Sequence, residues 1–286
     1  MGPGVIKITA TIKTLILEIL TGEGPGHIKE INLRVSEFRP DVPQHTVRSR
    51  LSEMARSENL EERLNPFGKG FYGLYEESPN LCSVVSYPNR GPWGNAGYRG
   101  NCSGHLIKEL ILRFKCQSVF DPAEGSGTVR DVVAGINTYL RQSIIYEGRD
   151  IKAGWDILTG PMPEKQYDLV WFHPPYWDII PYSAHSNDLS NCPTLEDFEL
   201  KLNQSVEKLF QSVKPKGILA VLIGDKCKEG MYYALFRSLL MKENIGQLRS
   251  ILIKVQYNCQ SDRKIYSTNN PFFIPIKHEY CLIFQK

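Results

Sequence analysis

The sequence lacks the features that mark membrane, secreted and metal-binding proteins. It has no apolar run long enough to span a bilayer and no charged-then-apolar leader at its start. Its seven cysteines are scattered and form no Cys-x-x-Cys pair, which argues against a zinc cage or a disulfide framework. An odd, dispersed set of thiols is typical of a reducing compartment. We therefore expect a cytoplasmic protein with no membrane partner and no bound metal.

The chain also lacks a large excess of charge of either sign. The net charge of +3 permits nucleic-acid binding without arguing for it, so only the positions of basic side chains can indicate such a partner. No internal repeat is visible. A chain of 286 residues is long enough for one large domain and a second, small one.

The most informative stretch begins with Asp168 to Phe172, which is short and almost wholly apolar. Such a run is expected of a parallel strand buried on both faces. Pro174 and Pro175 end it, because two missing N–H groups and two fixed φ angles stop a hydrogen-bond ladder. The alternative is a proline-rich loop whose rings pack on a neighbouring helix. If the run is a buried strand, three ring side chains project from its carboxyl end, where open α/β sheets bind ligands. These are His173, Tyr176 and Trp177.

Upstream, a glycine-rich turn lies between a predicted strand, Cys116 to Phe120, and a predicted helix, Val129 to Leu140. It reads Asp-Pro-Ala-Glu-Gly-Ser-Gly-Thr. Such a turn lets the backbone approach a ligand and presents N–H groups of a helix N-terminus. It is not the dinucleotide fingerprint, because the turn holds only Gly125 and Gly127. It is not a phosphate-cradling loop either, because no lysine follows the second glycine.

Together the two motifs resemble those of the DNA methyltransferases that modify exocyclic amines of adenine or cytosine. The cofactor motif of that family reads Asp-Pro-Phe-x-Gly-Ser-Gly-Thr and is matched except at Ala123. Its catalytic motif reads Asp/Asn/Ser-Pro-Pro-Tyr/Phe and is matched except at the first position. The resemblance covers residues 95–286 and implies S-adenosylmethionine as cofactor. It implies these cofactor contacts: Asp121, Pro122, Gly125, Ser126, Gly127 and Thr128. It implies these catalytic residues: His173, Pro174, Pro175 and Tyr176.

The resemblance implies further cofactor residues. In this family a segment before the glycine-rich turn contacts the methionine end of the cofactor, which suggests Asn101 and Ser103. A helix cap is the alternative role for Ser103. An acid about twenty residues beyond the glycines is placed to bind ribose hydroxyls, and both Glu147 and Asp150 are candidates. The Gly-x-acid pattern of the resembled family matches Gly148-Arg149-Asp150, which favours Asp150, with Glu147 in reserve. Asp156 would lie near the adenine amine, unless it only caps a loop.

The amino-terminal residues predict a small winged helix-turn-helix domain. Its expected elements are helices at 12–20, 27–37 and 44–56 and strands at 60–64 and 71–75. The third helix carries Val47, Leu51 and Met54 on one face. A protein-docking domain with a solvated helix face is the alternative to a DNA-binding one. The opposite face and the turn between the strands supply candidate DNA contacts: Gln44, His45, Arg48, Arg50 and Lys69.

We therefore predict three segments: a DNA-binding domain at 1–78, a linker at 79–94 and a methyltransferase domain at 95–286. The last is expected to be α/β, a Rossmann-like sheet with helices on both faces. Its further elements are helices at 105–114, 194–213 and 231–241 and strands at 143–146, 218–223, 250–256 and 280–284. Two long polar loops are predicted. The loop 179–192 is a candidate lid, and the loop 258–277 is a candidate phosphate contact through Arg263 and Lys264.

The predicted reaction is methyl transfer to the exocyclic amine of a flipped base in double-stranded DNA, N4 of cytosine or N6 of adenine. Hydrogen-bond acceptors on the amine would favour its reactive, pyramidal form. The Pro174 carbonyl and a neutral His173 can accept, with an acid-side loss of rate near the ordinary histidine pKa of about 6.5. Tyr176 would stack on the extruded base, and Trp177 would form a second wall that contacts DNA.

The target base is open, although Pro-Pro-Tyr-Trp resembles the cytosine type slightly more. Two alternatives come from other classes of protein. One is an RNA or tRNA guanine-amine methyltransferase, which shares both motifs. The other is a non-catalytic DNA-binding protein that keeps the fold. The sequence does not reveal the recognition site, the oligomeric state or whether a cognate restriction endonuclease is a partner.

Overall fold

The computed structural model describes residues 11–23, 26–57, 63–74, 81–88, 90–139, 142–240, 242, 244–257 and 274–286. The chain divides into two compact units. The smaller unit comprises 1–78 with 135–142, and the larger comprises 79–134 with 143–286. Among the helices in the described ranges, none is both long and apolar enough to cross a bilayer.

Within 1–78, the described part of the smaller unit contains three helices and a three-stranded antiparallel sheet. Its elements in chain order are α1 Ile12–Glu23, β1 Gly26–His27, α2 Ile28–Phe38, α3 Gln44–Met54, β2 Leu64–Gly68 and β3 Phe71–Leu74. The strand order is β1-β3-β2. Val47, Leu51 and Met54 recur at helical spacing, and all three are buried in the core of this unit, as predicted.

The first strand of the hairpin lies further along the chain than predicted. It begins at Leu64 and runs through Pro66, while 60–62 fall outside the described residues. Lys69 and Gly70 form a two-residue turn in which φ is +49° and +80°. Positive φ at both positions matches the twist of the flanking strands. Pro66 is tolerated because β2 is at the edge of its sheet and needs no second partner for its nitrogen.

The larger unit is organised around a seven-stranded sheet. Its elements are β4 Val84–Ser86, α4 Gly104–Arg113, β5 Ser118–Asp121, α5 Thr128–Tyr139, β6 Ile145–Gly148, β7 Tyr167–Phe172, α6 Leu195–Gln211, β8 Val213–Gly224, β9 Lys226–Lys228, β10 Met231–Tyr233, α7 Arg237–Leu240, β11 Gln247–Val255 and β12 His278–Gln285. The sheet order is β4-β11-β12-β8-β7-β5-β6. The pairings β5–β6, β5–β7, β7–β8 and β4–β11 are parallel, whereas β12 is antiparallel to both neighbours.

The strand order places helices on both faces. From β5 the chain crosses through α5 to β6 on one side, and from β7 it crosses through α6 to β8 on the other. Right-handed crossovers in opposite directions put α5 and α6 on opposite faces of the sheet. The predicted Rossmann-like α/β class is therefore confirmed. The order reverses between β5 and β7, and such a switch point leaves a crevice at the carboxyl ends of the strands.

The central strand β7 is buried on both faces, as its apolar run predicts. Val170, Trp171 and Phe172 are each at most 2% exposed. At the opposite end of the strand, the Asp168 carboxylate accepts from Ser118 Oγ at 2.8 Å and from Lys214 Nζ at 3.0 Å. These bonds join the starts of β5, β7 and β8.

Two predicted elements are wrong. The helix expected at 231–241 is instead strand β10 followed by the short helix α7. Glu229 and Gly230, with φ of +53° and +78°, form a two-residue turn that pairs β10 with β9. Part of the expected linker also belongs to the sheet, because Val84–Ser86 pairs with the end of β11. β-Branched residues favour an extended strand, and here they cover part of an edge that β11 would otherwise expose.

Candidate active site

A cavity of 770 Å³ opens at the carboxyl edge of the large sheet. Its lining includes the last residue of β5, β7 and β8 and the first residues of β12. The cavity therefore lies at the switch point of the strand order. It brings together most of the predicted site residues: Asn101, Asp121, Pro122, Gly125, Ser126, Thr128, Asp150, His173, Pro174, Pro175 and Tyr176.

The glycine-rich turn after β5 is shaped by two left-handed residues. Gly125 and Gly127 have φ of +53° and +78°, a region that side chains with a Cβ rarely adopt. The Gly125 N–H donates to Asp150 Oδ2 at 2.9 Å. Gly127 does not line the cavity, so its contribution is the conformation of the turn. At the start of α5, the buried Thr128 hydroxyl donates to the amide oxygen of Asn101.

The turn also presents a buried acid. Asp121 is 3% exposed and accepts from the Ala123 N–H at 3.2 Å. Burial raises the pKa of Asp121 to about 8, helped by the nearby carboxylates of Glu124 and Asp150 and opposed by the Ala123 N–H. A carboxylate in this position is stabilised by any cation that enters the cavity.

The structure separates the two acids proposed for the ribose. Asp150 lines the cavity, where its Oδ1 also accepts from Lys152 N at 2.8 Å. Glu147 does not line the cavity, because Arg149 at 2.7 Å and the Tyr167 hydroxyl occupy its carboxylate. The geometry therefore favours Asp150.

Besides Gly127, two predicted cofactor residues lie outside the cavity lining. Ser103 is buried and caps α4 by accepting from the His105 N–H at 3.3 Å, which is the alternative role considered for it. Asp156 is held by Asn187 Nδ2 at 2.7 Å, Thr159 Oγ1 at 2.6 Å and the Leu158 N–H at 2.8 Å. Asp156 is thus a loop cap, and it reaches the cavity only through Asn187, which lines it.

The turn after β7 is fixed by a chain of side chains. His173 Nε2 lies 2.8 Å from the Tyr176 hydroxyl, which donates to Glu279 Oε1 at 2.8 Å. Lys254 Nζ donates to the other carboxylate oxygen, Glu279 Oε2, at 2.6 Å. The Tyr176 ring lies against the backbone of Gly224, where an added Cβ would be 2.6 Å from Cε2. The turn is therefore tied to three other strands of the sheet, β8, β11 and β12.

Burial and the neighbouring charges determine the protonation states of these hydrogen-bonded side chains. Burial lowers the pKa of His173 to about 4, so the imidazole is neutral at physiological pH and the acid limb expected near 6.5 is displaced downward. Burial alone would raise the pKa of Glu279. The positive charge of Lys254 and the hydrogen bonds from Lys254 and Tyr176 lower it instead, to about 2. The carboxylate is therefore ionised, and burial raises the pKa of Tyr176 well above its ordinary value.

The prediction that Trp177 forms a wall for DNA is wrong. The residue is 5% exposed and belongs to the core of the larger unit. Its indole N–H donates to the Cys192 carbonyl at 2.9 Å, and Lys226 Nζ lies 4.5 Å from the ring centroid. The indole is thus satisfied inside the protein. Trp177 has φ of +51°, which turns the chain back towards the core directly after Tyr176.

Sequence reasoning missed an aromatic pair at the cavity. The rings of Tyr98 and Tyr182 stack with centroids 6.2 Å apart, and Lys152 Nζ lies 4.7 Å and 5.4 Å from them. All three residues line the cavity. An added Cβ at Gly100 would collide with the Tyr182 hydroxyl, so this approach needs glycine. No local pattern reveals the pair, because its members are far apart in the chain.

The sequence also concealed Glu279 and Lys254. A signal was present, since Lys254 directly follows the apolar run Ile251–Ile253 and Glu279 directly precedes the run Tyr280–Phe284, and the two charges are opposite. They are direct partners in the β11–β12 register. Strand pairing is required before that signal can be interpreted. In the described ranges, no three His, Cys, Asp or Glu side chains are arranged to hold a metal ion.

In the smaller unit, the predicted outer face of α3 is exposed. Gln44, His45, Arg48 and Arg50 are all accessible, as is Lys69 at the hairpin turn. Arg50 pairs with Glu53, which also binds Lys13 at 2.9 Å. These positions make contact with a partner feasible, and the identity of that partner stays a prediction.

No protein-family profile and no curated protein matches this chain. Solved structures align with parts of it. A candidate DNA modification methylase from Thermus thermophilus, complexed with S-adenosyl-L-methionine, is 19% identical over 46% of this chain and 53% of its own, with a TM-score of 0.32. TrmN from Thermus thermophilus is 13% identical over 66% of this chain and 50% of its own, with a TM-score of 0.34.

A SAM dependent methyltransferase from Archaeoglobus fulgidus is 16% identical over 65% of this chain and 95% of its own, with a TM-score of 0.36. The chain spans about half the length of the Thermus methylase, given the 53% covered. At such identities and TM-scores the alignments carry no functional argument.

Proposed function

We propose that this protein is an S-adenosylmethionine-dependent methyltransferase that modifies an exocyclic base amine in DNA, N4 of cytosine or N6 of adenine. The observation that carries the proposal is the meeting of two turns in one cavity. A glycine-shaped turn with a buried acid lies beside a proline turn that holds a neutral imidazole. A cofactor and a planar amine can therefore be bound side by side.

The glycine turn fits the cofactor that the motif implies. S-adenosylmethionine carries a sulfonium and an ammonium group, and it supplies the electrophilic methyl when bound. Asp121 is a buried carboxyl whose ionised form is disfavoured by burial, so a cationic ligand complements it. Asp150 exposes a carboxylate to the same cavity and is suited to ribose hydroxyls. Gly125 lets the backbone come close to the ligand.

The proline turn fits the amine. The exocyclic amine of a base is a weak nucleophile because its lone pair is delocalised into the ring. Acceptors aimed at its two hydrogens favour the pyramidal form, and the Pro174 carbonyl and a neutral His173 are such acceptors. His173 stays neutral down to about pH 4. Stacking of the base on Tyr176 remains part of the proposal, with the ring supported from behind by Gly224.

We assign DNA docking to the smaller unit, as a winged helix-turn-helix. The order of three helices and a hairpin supports this, together with the basic, exposed face of α3 and Lys69 at the turn of the hairpin. Arg48 makes no ion pair within the described part of the chain, whereas Arg50 is engaged by Glu53. Arg48 and Lys69 are therefore the stronger candidates for phosphate contact.

The activity is tested by supplying labelled cofactor with a pool of DNA duplexes or with total tRNA. The products are then digested to nucleosides and identified by mass. N4-methylcytosine or N6-methyladenine from DNA would support the proposal. An N-methylguanosine from tRNA would establish the RNA alternative, and no transfer to either would favour a non-catalytic DNA-binding protein.

DNA docking is tested separately with the double variant Arg48→Gln/Lys69→Gln. Affinity for duplex DNA should fall, and the salt dependence should flatten by about one unit of slope for each phosphate that is no longer neutralised. The matched control Lys29→Gln/Arg34→Gln removes the same charge from α2. Equal losses of affinity in the two variants would reduce the effect to net charge and contradict a docking face on α3.

A further inference from the structure

The pair Lys254–Glu279 is costly for a fold and is placed at the cavity. Both residues are 7% exposed, and they are direct neighbours across β11 and β12. Removing two charges from water often costs more than their attraction returns, so a buried ion pair is weak evidence for stability. Glu279 lines the cavity beside the proline turn. A role at the site explains the pair better than a role in the fold.

Counting protons along the chain of contacts defines the state of His173. The Glu279 carboxylate is ionised and can only accept, so the single hydroxyl proton of Tyr176 must be donated to it. That proton is then not available to His173, whose Nε2 lies 2.8 Å from the same oxygen. Nε2 must therefore carry the hydrogen and donate it to Tyr176. In a neutral imidazole the remaining nitrogen, Nδ1, is the acceptor.

We propose that Glu279 is a positioning residue that acts through Tyr176 to hold His173 as the Nε2–H tautomer, with Nδ1 as the acceptor for the target amine. The inference rests on the proposed function and adds to it the atom that accepts and the residue that determines it. Lys254 keeps Glu279 ionised, which keeps the direction of the hydrogen bonds fixed.

A neutral group at position 279 would reverse the direction of the hydrogen bonds that run from His173 through Tyr176 to position 279. A glutamine amide can donate to the Tyr176 oxygen, which frees the hydroxyl proton for His173 Nε2. The imidazole hydrogen would then sit on Nδ1, and the acceptor would be lost. The charges that act on His173 are Glu279, Lys254 and Arg90, and only Glu279 lies within reach of the Tyr176 hydroxyl.

The test combines nitrogen NMR of histidine-labelled protein with single-turnover kinetics. Protonated and unprotonated ring nitrogens resonate far apart, and the His173 signals among the six histidines are assigned by their loss in His173→Asn. In the parent protein the proton should be on Nε2. In Glu279→Gln it should move to Nδ1, while turnover falls roughly 100-fold, as on removing one preorganised hydrogen bond. Cofactor affinity should stay within about twofold, since the hydrogen bond removed is one to the base.

Two further variants keep the test decisive. Glu279→Gln leaves Lys254 buried without its partner, so Lys254→Met/Glu279→Gln supplies a neutral pair that folds if the single variant does not. The matched control is Asp168→Asn, which breaks the Lys214–Asp168 pair at the opposite end of the sheet. Asp168→Asn should leave the His173 tautomer and turnover unchanged.

A proton on Nδ1 in the parent protein would overturn the inference, as would an unchanged tautomer in both position-279 variants. A fall in turnover without a change of tautomer would make Glu279 a structural residue. The tautomer is measured without substrate. A protein that shows the expected tautomers but methylates no DNA would therefore contradict the proposed function while leaving the role of Glu279 in place.

Discussion

The two turns that meet in the cavity are built in different ways. The turn after β5 uses backbone conformation, since Gly125 and Gly127 adopt positive φ and the ligand-facing groups lie within a few residues of them. The turn after β7 uses side chains from far away, since His173 is held through Tyr176 by Glu279 and Lys254. A turn of the first kind is encoded locally, and one of the second kind needs the assembled sheet.

This difference predicts that the turns can be damaged independently. The largest effect should follow His173→Ala, which removes one acceptor from the amine. Turnover should fall roughly 100- to 1,000-fold, the range for one preorganised hydrogen bond, while cofactor affinity is nearly unchanged. Single-turnover rates and calorimetric cofactor titrations measure the two quantities. Parent-rate turnover would leave His173 with a packing role under Pro174 and Pro175.

A comparable effect on binding should follow Gly125→Val. A β-branched residue at φ of +53° is strained, and its side chain would enter the cavity close to Tyr98. Cofactor affinity should fall by about 100-fold, or about 2.8 kcal/mol, because the branched side chain occupies space in the cavity that the cofactor needs. The control is Gly154→Val, which has φ of +86° but nothing within 4 Å of an added Cβ. Equal losses of affinity in both variants would mean that strain alone, rather than intrusion into the cavity, weakens binding.

A smaller effect should separate the two acids after β6. Asp150→Ala should weaken cofactor binding by about 1–3 kcal/mol, the range for a hydrogen bond to a charged group. Glu147→Ala should change cofactor affinity much less, because Glu147 lies outside the cavity lining and binds Arg149 and Tyr167. Both are measured by calorimetry on the folded variants. The reverse order of effects would identify Glu147 as the ribose acid.

The smallest effect should be the response of turnover to pH. His173 is neutral above its pKa of about 4, so it should add no acid limb between pH 6 and 8. The pKa of His173 is about 4 in the folded protein and about 6.5 in the unfolded chain. The contribution of His173 to the free energy of unfolding is therefore highest above pH 6.5 and decreases as the pH falls towards 4. Denaturant unfolding at several pH values measures that decrease in stability. A limb near pH 6.5 that disappears in His173→Ser would show that the imidazole is hydrated rather than buried.

Much of the fold follows from the sequence alone, because its signals are local. The apolar run at Asp168–Phe172 predicts a doubly buried strand, and the helical spacing of Val47, Leu51 and Met54 predicts the buried face of α3. The glycines of the first turn have positive φ as their residue type suggests. In each case one short segment contains both the pattern and its physical cause.

Other features were decided only by the tertiary structure. The apolar residues of 231–241 suit a helix or a strand, and the positive φ of Glu229 and Gly230 commits Met231–Tyr233 to a hairpin. Trp177 next to Pro-Pro-Tyr suggests a ligand contact, yet its N–H finds the Cys192 carbonyl in the core. Lys254 and Glu279 become a pair only when β11 aligns with β12. Composition and periodicity describe what a segment can bury, and the partner strand determines which charges meet and therefore which nitrogen of His173 is left to accept.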